Sequence, residues 1–151
     1  MSELPFAEDT HYWQTGKSSP DTWVEMARKL IVETGGTIQA EAFGQDATGL
    51  AAYMLGFTLD AETFRIVWPV LTTRKGNIKA ARIQAATMLY HHVKAACMSA
   101  AILGGRAAFF SHLVLPDGRT AGQVATPELA ELEPELIMGP RVRLLPAGEA
   151  R

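Results

Sequence analysis

The chain has 151 residues, of which 48% are hydrophobic, and its formal net charge is −2. This length suits one domain with a substantial core, and the single cysteine, Cys97, excludes an intrachain disulfide. Met1–Thr10 is polar and acidic, and no apolar run approaches the roughly 20 residues that a membrane span needs. We therefore expect a soluble cytoplasmic protein with no membrane partner.

The first predicted elements are an N-terminal arm, residues 1–19, and a helix. Ser19 is suited to the N-cap position and Pro20 to the first helical position. Apolar residues then recur at helical spacing over about 15 residues, and Gly35-Gly36 is predicted to end the helix. The arm carries the aromatic residues Phe6, Tyr12 and Trp13.

Three β-strands are predicted next because apolar residues alternate along segments that turn residues separate. The strands are Thr37–Phe43, Leu50–Leu59 and Thr63–Leu71. In the first strand the alternation places Ile38, Ala40 and Ala42 on one side. Pro69 cannot donate a ladder hydrogen bond, so the third strand is expected to be an edge or to end there. Short connections predict an antiparallel meander.

The longest predicted helix runs from Ile78 to about Leu103, because this segment is rich in alanine and has helical periodicity. Gly104-Gly105 is predicted to break it. Beyond that point Ala107–Leu115 is compatible with strand or helix, Pro116-Asp117-Gly118 predicts a turn, and Thr126-Pro127-Glu128 predicts the start of a short acidic helix.

The order of these elements is α-β-β-β-α, which predicts an α+β fold with a three-stranded antiparallel meander sheet and two helices on one face. Residues 20–105 are expected to form this domain. Residues 106–151 are expected to form a C-terminal extension that belongs to the same globule or is partly irregular.

Charge is distributed unevenly along the chain. Residues 1–62 hold ten acids and three bases, whereas Thr63–Pro116 holds seven Lys/Arg and neither Asp nor Glu. Lys75, Lys79 and Arg82 are spaced to lie on one side of the start of the long helix. Cations there oppose the helix dipole, but a bound phosphate would reverse the sign of that interaction. Nucleic acid, DNA or RNA, is therefore the expected partner.

A second interpretation of the same residues needs no ligand. The basic residues would pair with carboxylates of the sheet, for which the candidates are Glu41, Asp46, Asp60 and Glu62. The protein would then be a non-enzymatic assembly module, and the broad, alanine-rich face of the long helix makes a homo-oligomer possible.

The element order and the helix start resemble the double-stranded-RNA-binding domain. That family opens its second helix with the motif K-K-x-A-K-x-x-A-A, and Ile78–Ala86 matches it at Lys79, Ala81, Arg82, Ala85 and Ala86. Ile78 replaces the first lysine, although Arg74 and Lys75 lie just upstream. The resemblance implies that Lys79 and Arg82 contact phosphates across a duplex groove. It covers Pro20 to about Val93.

Rad52-like single-strand annealing proteins are similar in a different way, since they place a basic, alanine-rich helix after a β-meander. That resemblance implies an oligomer with single-stranded DNA in a basic groove. Single-strand binding uses exposed aromatic side chains for base stacking. The candidates are Tyr12, Trp13, Trp68 and Tyr90.

Metal and catalytic sites are not predicted. His91 and His92 are adjacent on a helix and point about 100° apart, so they cannot share a ligand face with Cys97. Cys97 lies among Ala and Met residues, where a packed thiol is expected. We expect a protein that is not an enzyme, needs no cofactor, and contacts phosphates through Arg74, Lys75, Lys79, Arg82 and Lys94.

Overall fold

The computed structural model describes residues 4–45 and 50–129, with side chains as far as residue 125. The order helix, three strands, helix confirms the predicted α+β fold. The elements are α1 (Pro20–Glu33), β1 (Thr37–Gln45), β2 (Ala51–Leu59), β3 (Glu62–Pro69), α2 (Ile78–Leu103), α3 (Gly105–Ala108) and α4 (Ala121–Leu129), with 3-10 turns at Ala7–Asp9 and Phe110–His112.

Both long helices begin where the sequence predicts, because each has a side-chain cap. Ser19 Oγ accepts a hydrogen bond from the Thr22 N–H at 3.3 Å, and Asn77 Oδ1 accepts one from the Ala80 N–H at 3.2 Å. Such caps satisfy amides that have no partner within the helix. The two helices pack side by side and begin at the same end of the molecule, since residues from both starts line one cleft.

The sheet is the predicted meander, with strand order β1-β2-β3 and antiparallel pairing throughout. Asp60 and Ala61 form the two-residue turn between β2 and β3, with φ angles of 53° and 64°. Positive φ at both positions matches the twist of the strands that the turn joins. As expected, β3 ends at Pro69.

The first strand differs from its prediction in extent and in register. It continues to Gln45, and the register shifts between Ile38 and Ala40. Ile38 therefore pairs with the buried Phe57, on the face that the helices cover, whereas Ala40 pairs with Gly56 on the other face. A residue inserted at a bulge exchanges the two faces of a strand. The prediction that Ile38, Ala40 and Ala42 share a side is wrong for this reason.

The core lies between the sheet and the helices. Phe57, Phe64 and Phe109 form a ring cluster with centroid distances of 5.1–5.8 Å. Aliphatic side chains from β2, β3, α1 and α2 surround the rings, and none of these exceeds 1% exposure: Leu55, Ile66, Leu89, Val93 and Ile31. Burial of such side chains contributes about 1.5–3 kcal/mol each before the entropy cost of folding.

The segment predicted as an N-terminal arm lies against the domain from residue 7 onward. The Ala7 N–H donates to Thr72 O at 2.8 Å, and Ala7 is fully buried. The buried side chain of Gln84 holds this segment, because its Nε2 donates to Ala7 O, Thr10 Oγ1 and His11 O at 2.8–2.9 Å. A polar side chain of α2 therefore holds the N-terminal segment by hydrogen bonds.

The chain after α2 covers the edge of β3. Leu113 pairs with Phe64, and the Val114 N–H donates to Thr63 O at 2.9 Å. The predicted turn is confirmed at Gly118, whose φ is 92°.

The helix predicted to start at Thr126 starts at Ala121 instead. Thr120 Oγ1 accepts from the Gln123 N–H at 3.2 Å and so caps the earlier start. The rest of the predicted C-terminal extension, residues 130–151, lies outside the described residues.

Candidate nucleic-acid interface

A surface cleft of about 410 Å³ lies where α1 and α2 begin. Pro20 and Asp21 line it from α1, and Ile78, Lys79 and Arg82 line it from α2. Two helix N-termini therefore share one opening, and first-turn amides carry partial positive charge. The structure brings Lys79 and Arg82 together there, and Lys75 is exposed just before the Asn77 cap.

The charge of the cleft is positive but not uniform. The first turn of α2 holds no acid, so the cations Lys79 and Arg82 stand at the positive end of its dipole. The first turn of α1 contributes Asp21, which is exposed. An anion bound in the cleft would gain from two cations and two helix ends and would be opposed by one carboxylate.

Arg82 is held by an aromatic side chain that the sequence did not connect to it. Its guanidinium lies over the ring of Phe43 on β1, 4.1 Å from the centroid. Its Nε is buried and has no hydrogen-bond partner among the described residues. The contact joins residues 39 positions apart, so no local pattern in the sequence could have indicated it. The ring therefore packs against the guanidinium, a contact between β1 and α2.

Three of the four sheet carboxylates that the sequence offered as partners for these cations are engaged elsewhere. Glu41 pairs with Arg28 at 3.2 Å, and Glu62 pairs with Arg106. Asp60 Oδ2 accepts from the Gly105 N–H at 2.8 Å. Asp46, the remaining candidate, lies outside the described residues. In the described part of the chain Lys75, Lys79 and Arg82 form no ion pair.

Arg74 does not belong to the cleft. Its guanidinium forms an ion pair with Asp9, its backbone N–H donates to the Glu8 carboxylate at 3.0 Å, and it lies over the ring of Phe6. Hydrogen bonding to Arg74 lowers the pKa of Asp9, which follows from a carboxylate held in its charged form. The acidic N-terminal segment thus neutralises this one of the grouped cations.

Lys94 also lies apart from the other cations. It is exposed on α2, 15 residues after Lys79, which is roughly 22 Å along the axis at 1.5 Å per residue. The sequence grouped Lys94 with the other cations because a count of charges along a segment does not give their separation in space. The structure therefore separates the five predicted contacts into three at the helix start, one at the N-terminal segment and one alone.

The aromatic residues proposed for base stacking have neighbours of their own. Tyr12, the most exposed of them, stacks on His91 with a centroid distance of 4.8 Å and an interplanar angle of 7°. Tyr90 packs on Trp23, and Trp68 packs on His92. Trp13 is half-buried against the core. A protein ring therefore covers one face of Tyr12, whereas the contacts of Tyr90 and Trp68 are tilted, with interplanar angles of 50° and 39°.

Folding creates a histidine pair that the sequence did not predict. His92 Nε2 on α2 lies 2.8 Å from His112 Nε2, so one imidazole donates and the other accepts. Burial lowers the pKa of both, and for His112 the neighbouring His92 adds to burial and brings the pKa to about 4. Both rings are therefore neutral at pH 7. The residues are 20 positions apart, and the turn at Phe110–His112 is what joins them.

Chemistry elsewhere in the described chain is sparse. Burial raises the pKa of the Cys97 thiol, which Thr34 partly offsets by hydrogen bonding, so the thiol is protonated at neutral pH. Within residues 4–45 and 50–129, no three His, Cys, Asp or Glu side chains converge as metal ligands would.

Over the same residues, no helix combines the length and apolarity required to cross a bilayer. Comparisons with protein-family models, curated proteins and solved structures found no match.

Proposed function

We propose that this protein binds the phosphate backbone of nucleic acid at the cleft where α1 and α2 begin. Lys75, Lys79 and Arg82 would supply the cations. Arg74 is already paired with Asp9, and Lys94 lies far along the helix, so each would add only long-range attraction.

The observation that carries the proposal is that the described acids of the sheet have partners elsewhere, although Asp21 of α1 lines the cleft. Glu41, Asp60 and Glu62 each have a partner away from the cleft. The cations remain at the unfavourable end of a helix dipole, a cost of roughly 0.3–1 kcal/mol each. A phosphate would remove this cost and would pair with the cationic side chains that line the cleft.

Binding of this kind would be directed at the backbone. Phosphate contacts fix position and carry no base sequence, so weak sequence preference and strong salt dependence are expected. The alternative function, a non-enzymatic homo-oligomeric assembly module, is favoured by a separate observation, the exposed edge of β1.

The test is the salt dependence of binding to labelled mixed-sequence DNA and RNA, each single- and double-stranded, measured by fluorescence anisotropy. The triple variant Lys75→Ala/Lys79→Ala/Arg82→Ala should bind more weakly. Its slope of log K against log salt should be shallower by about 2–3, since each lost contact removes roughly 0.7–0.9.

A matched control separates contact from net charge. Lys29→Ala/Arg106→Ala/Arg119→Ala removes the same charge at exposed residues that already have acidic partners. It should keep the wild-type slope. Equal binding by the wild type and the cleft variant, or equal loss in both variants, contradicts the proposal.

A further inference from the structure

The outer edge of β1 has no pairing partner within residues 4–45 and 50–129. The strand is nine residues long, it lies at the edge of the sheet, and every residue except the half-buried Ile38 is exposed. The segment after the register shift at Ile38/Ala40 contains no Pro and no Lys, two residues that commonly protect an edge. Its one charge, Glu41, lies on the helix-covered face and pairs with Arg28. The other edge of the sheet is partly covered, by Leu113 and Val114.

We propose that β1 pairs with β1 of a second copy of this chain, antiparallel, so that a two-fold dimer contains one six-stranded sheet. The inference rests on the edge of β1 and not on the proposed phosphate contacts, although the partner's Glu41 and a phosphate would compete for Arg82. Main-chain hydrogen bonds at an open edge would supply the association, as in other cases of strand addition.

The register follows from symmetry and charge. A two-fold axis normal to the sheet must pair residues on the same face, so one residue faces its own copy. An axis at Glu41 would set two carboxylates opposite each other, which is repulsive. An axis at Ala42 pairs Ala40 with the partner's Gly44 and Glu41 with the partner's Phe43. The regular segment that follows the shift at Ile38/Ala40 is centred close to this point.

The Ala42 register also brings an acid towards a cation that has no acidic partner among the described residues. The partner's Glu41 would stand beside Phe43, at the 4.5–5.5 Å typical of opposed Cβ atoms. The Phe43 ring carries the guanidinium of Arg82, which has no ion-pair partner among the described residues. Glu41 would thus have Arg28 in its own chain and Arg82 in the partner, twice in each dimer.

The surface of α1 next to this edge is suited to packing against the same surface of a second chain. A groove of about 390 Å³ lies there, lined by Glu25, Glu33, Arg28, Lys29, Val32 and Ile38. Two acids and two bases give it no net charge, and Val32 is 55% exposed. A neutral surface with an exposed apolar residue fits a second neutral surface better than it fits a polyanion.

Cysteine crosslinking tests the register. In a Cys97→Ala background, Ala42→Cys should form an interchain disulfide on mild oxidation, because facing Cα atoms lie within disulfide range. Ala40→Cys alone should not, since its copies would be offset by roughly 13 Å along the strand. A mixture of Ala40→Cys and Gly44→Cys chains should crosslink. Crosslinking by Ala40→Cys but not by Ala42→Cys overturns the register.

Oligomeric state tests the interface. Sedimentation of the full chain over a concentration series should show a monomer–dimer equilibrium. Ala42→Lys sets two like charges face to face and should raise the dimer Kd about tenfold or more, whereas Ala101→Lys, exposed on α2, should leave the Kd unchanged. Circular dichroism confirms that both variants fold. A protein that is monomeric at every concentration, or a dimer insensitive to Ala42→Lys, overturns the proposal.

Discussion

The charged side chains at the two ends of α2 differ in whether they have acidic partners. Where α2 ends, at the turn between β2 and β3, Arg106 pairs with Glu62 and the Gly105 N–H donates to Asp60. Where α2 begins, Lys79 and Arg82 have no acidic partner in the described chain. The first end is closed by these contacts, and the second is where we propose that a phosphate binds. Substitutions at the closed end should therefore change stability, and substitutions at the open end should change binding.

The largest effect is expected from Gly105→Ala at the closed end. A Cβ there would lie 2.8 Å from Leu59 Cδ2 and 2.9 Å from Asp60 Oδ2. Overpacking of this kind destabilises a fold by about 1–3 kcal/mol, and denaturant unfolding measures it. Gly44→Ala, whose Cβ would meet nothing within 4 Å, is the control. An unchanged free energy of unfolding for Gly105→Ala would contradict the tight contact.

The next effect is a loss of stability in acid that depends on His112. Its folded pKa of about 4 lies below the ordinary value of 6.5, so the unfolded chain binds a proton that the folded chain does not. The contribution of this group is therefore unfavourable once the pH falls below about 6.5, and it grows until about pH 4. After allowance for partial exposure the change is about 2 kcal/mol.

Thermal unfolding of wild type and His112→Gln across this range measures that effect. As the pH falls from 6.5 to 4, wild type should lose stability relative to His112→Gln. Above pH 7 the difference in stability between the two proteins should be constant. Parallel curves would show that the histidine pair does not titrate in this way.

At the open end, Lys79→Ala and Arg74→Ala should differ although both remove one charge from the same basic segment. Lys79→Ala should flatten the salt slope of nucleic-acid binding by roughly 0.7–0.9. Arg74→Ala should leave the slope nearly unchanged, because Arg74 is committed to Asp9 and Glu8. Anisotropy titrations at four or five salt concentrations decide the matter, and identical slopes for both variants would remove the distinction between the residues.

The smallest effect is expected from Asp21→Asn. Asp21 is the carboxylate that lines the cleft, so its neutralisation should tighten nucleic-acid binding two- to fivefold, a few tenths to about 1 kcal/mol for one exposed charge. Glu25→Gln, one turn further along α1, is the matched control. Tighter binding by both variants alike would indicate a net-charge effect and not a contact in the cleft.

The sequence by itself determined the α-β-β-β-α order and the positions of both long helices. Capping residues, alternation and glycine pairs are local signals, and Ser19, Asn77 and Gly104 act within a few residues of their own positions. It also determined the acid-free middle segment, because composition needs no coordinates. Its register for β1 failed at a single shift, which turns every later side chain to the opposite face.

Only the tertiary structure decided which cations are free. The sequence placed Arg74 and Lys79 in one basic group, yet folding brings Asp9 to the first and no described acid to the second. The contact of Arg82 with Phe43 and that of His92 with His112 likewise join residues that are distant along the chain. Pairing depends on separation in space, and a charge pattern along a chain does not contain that separation.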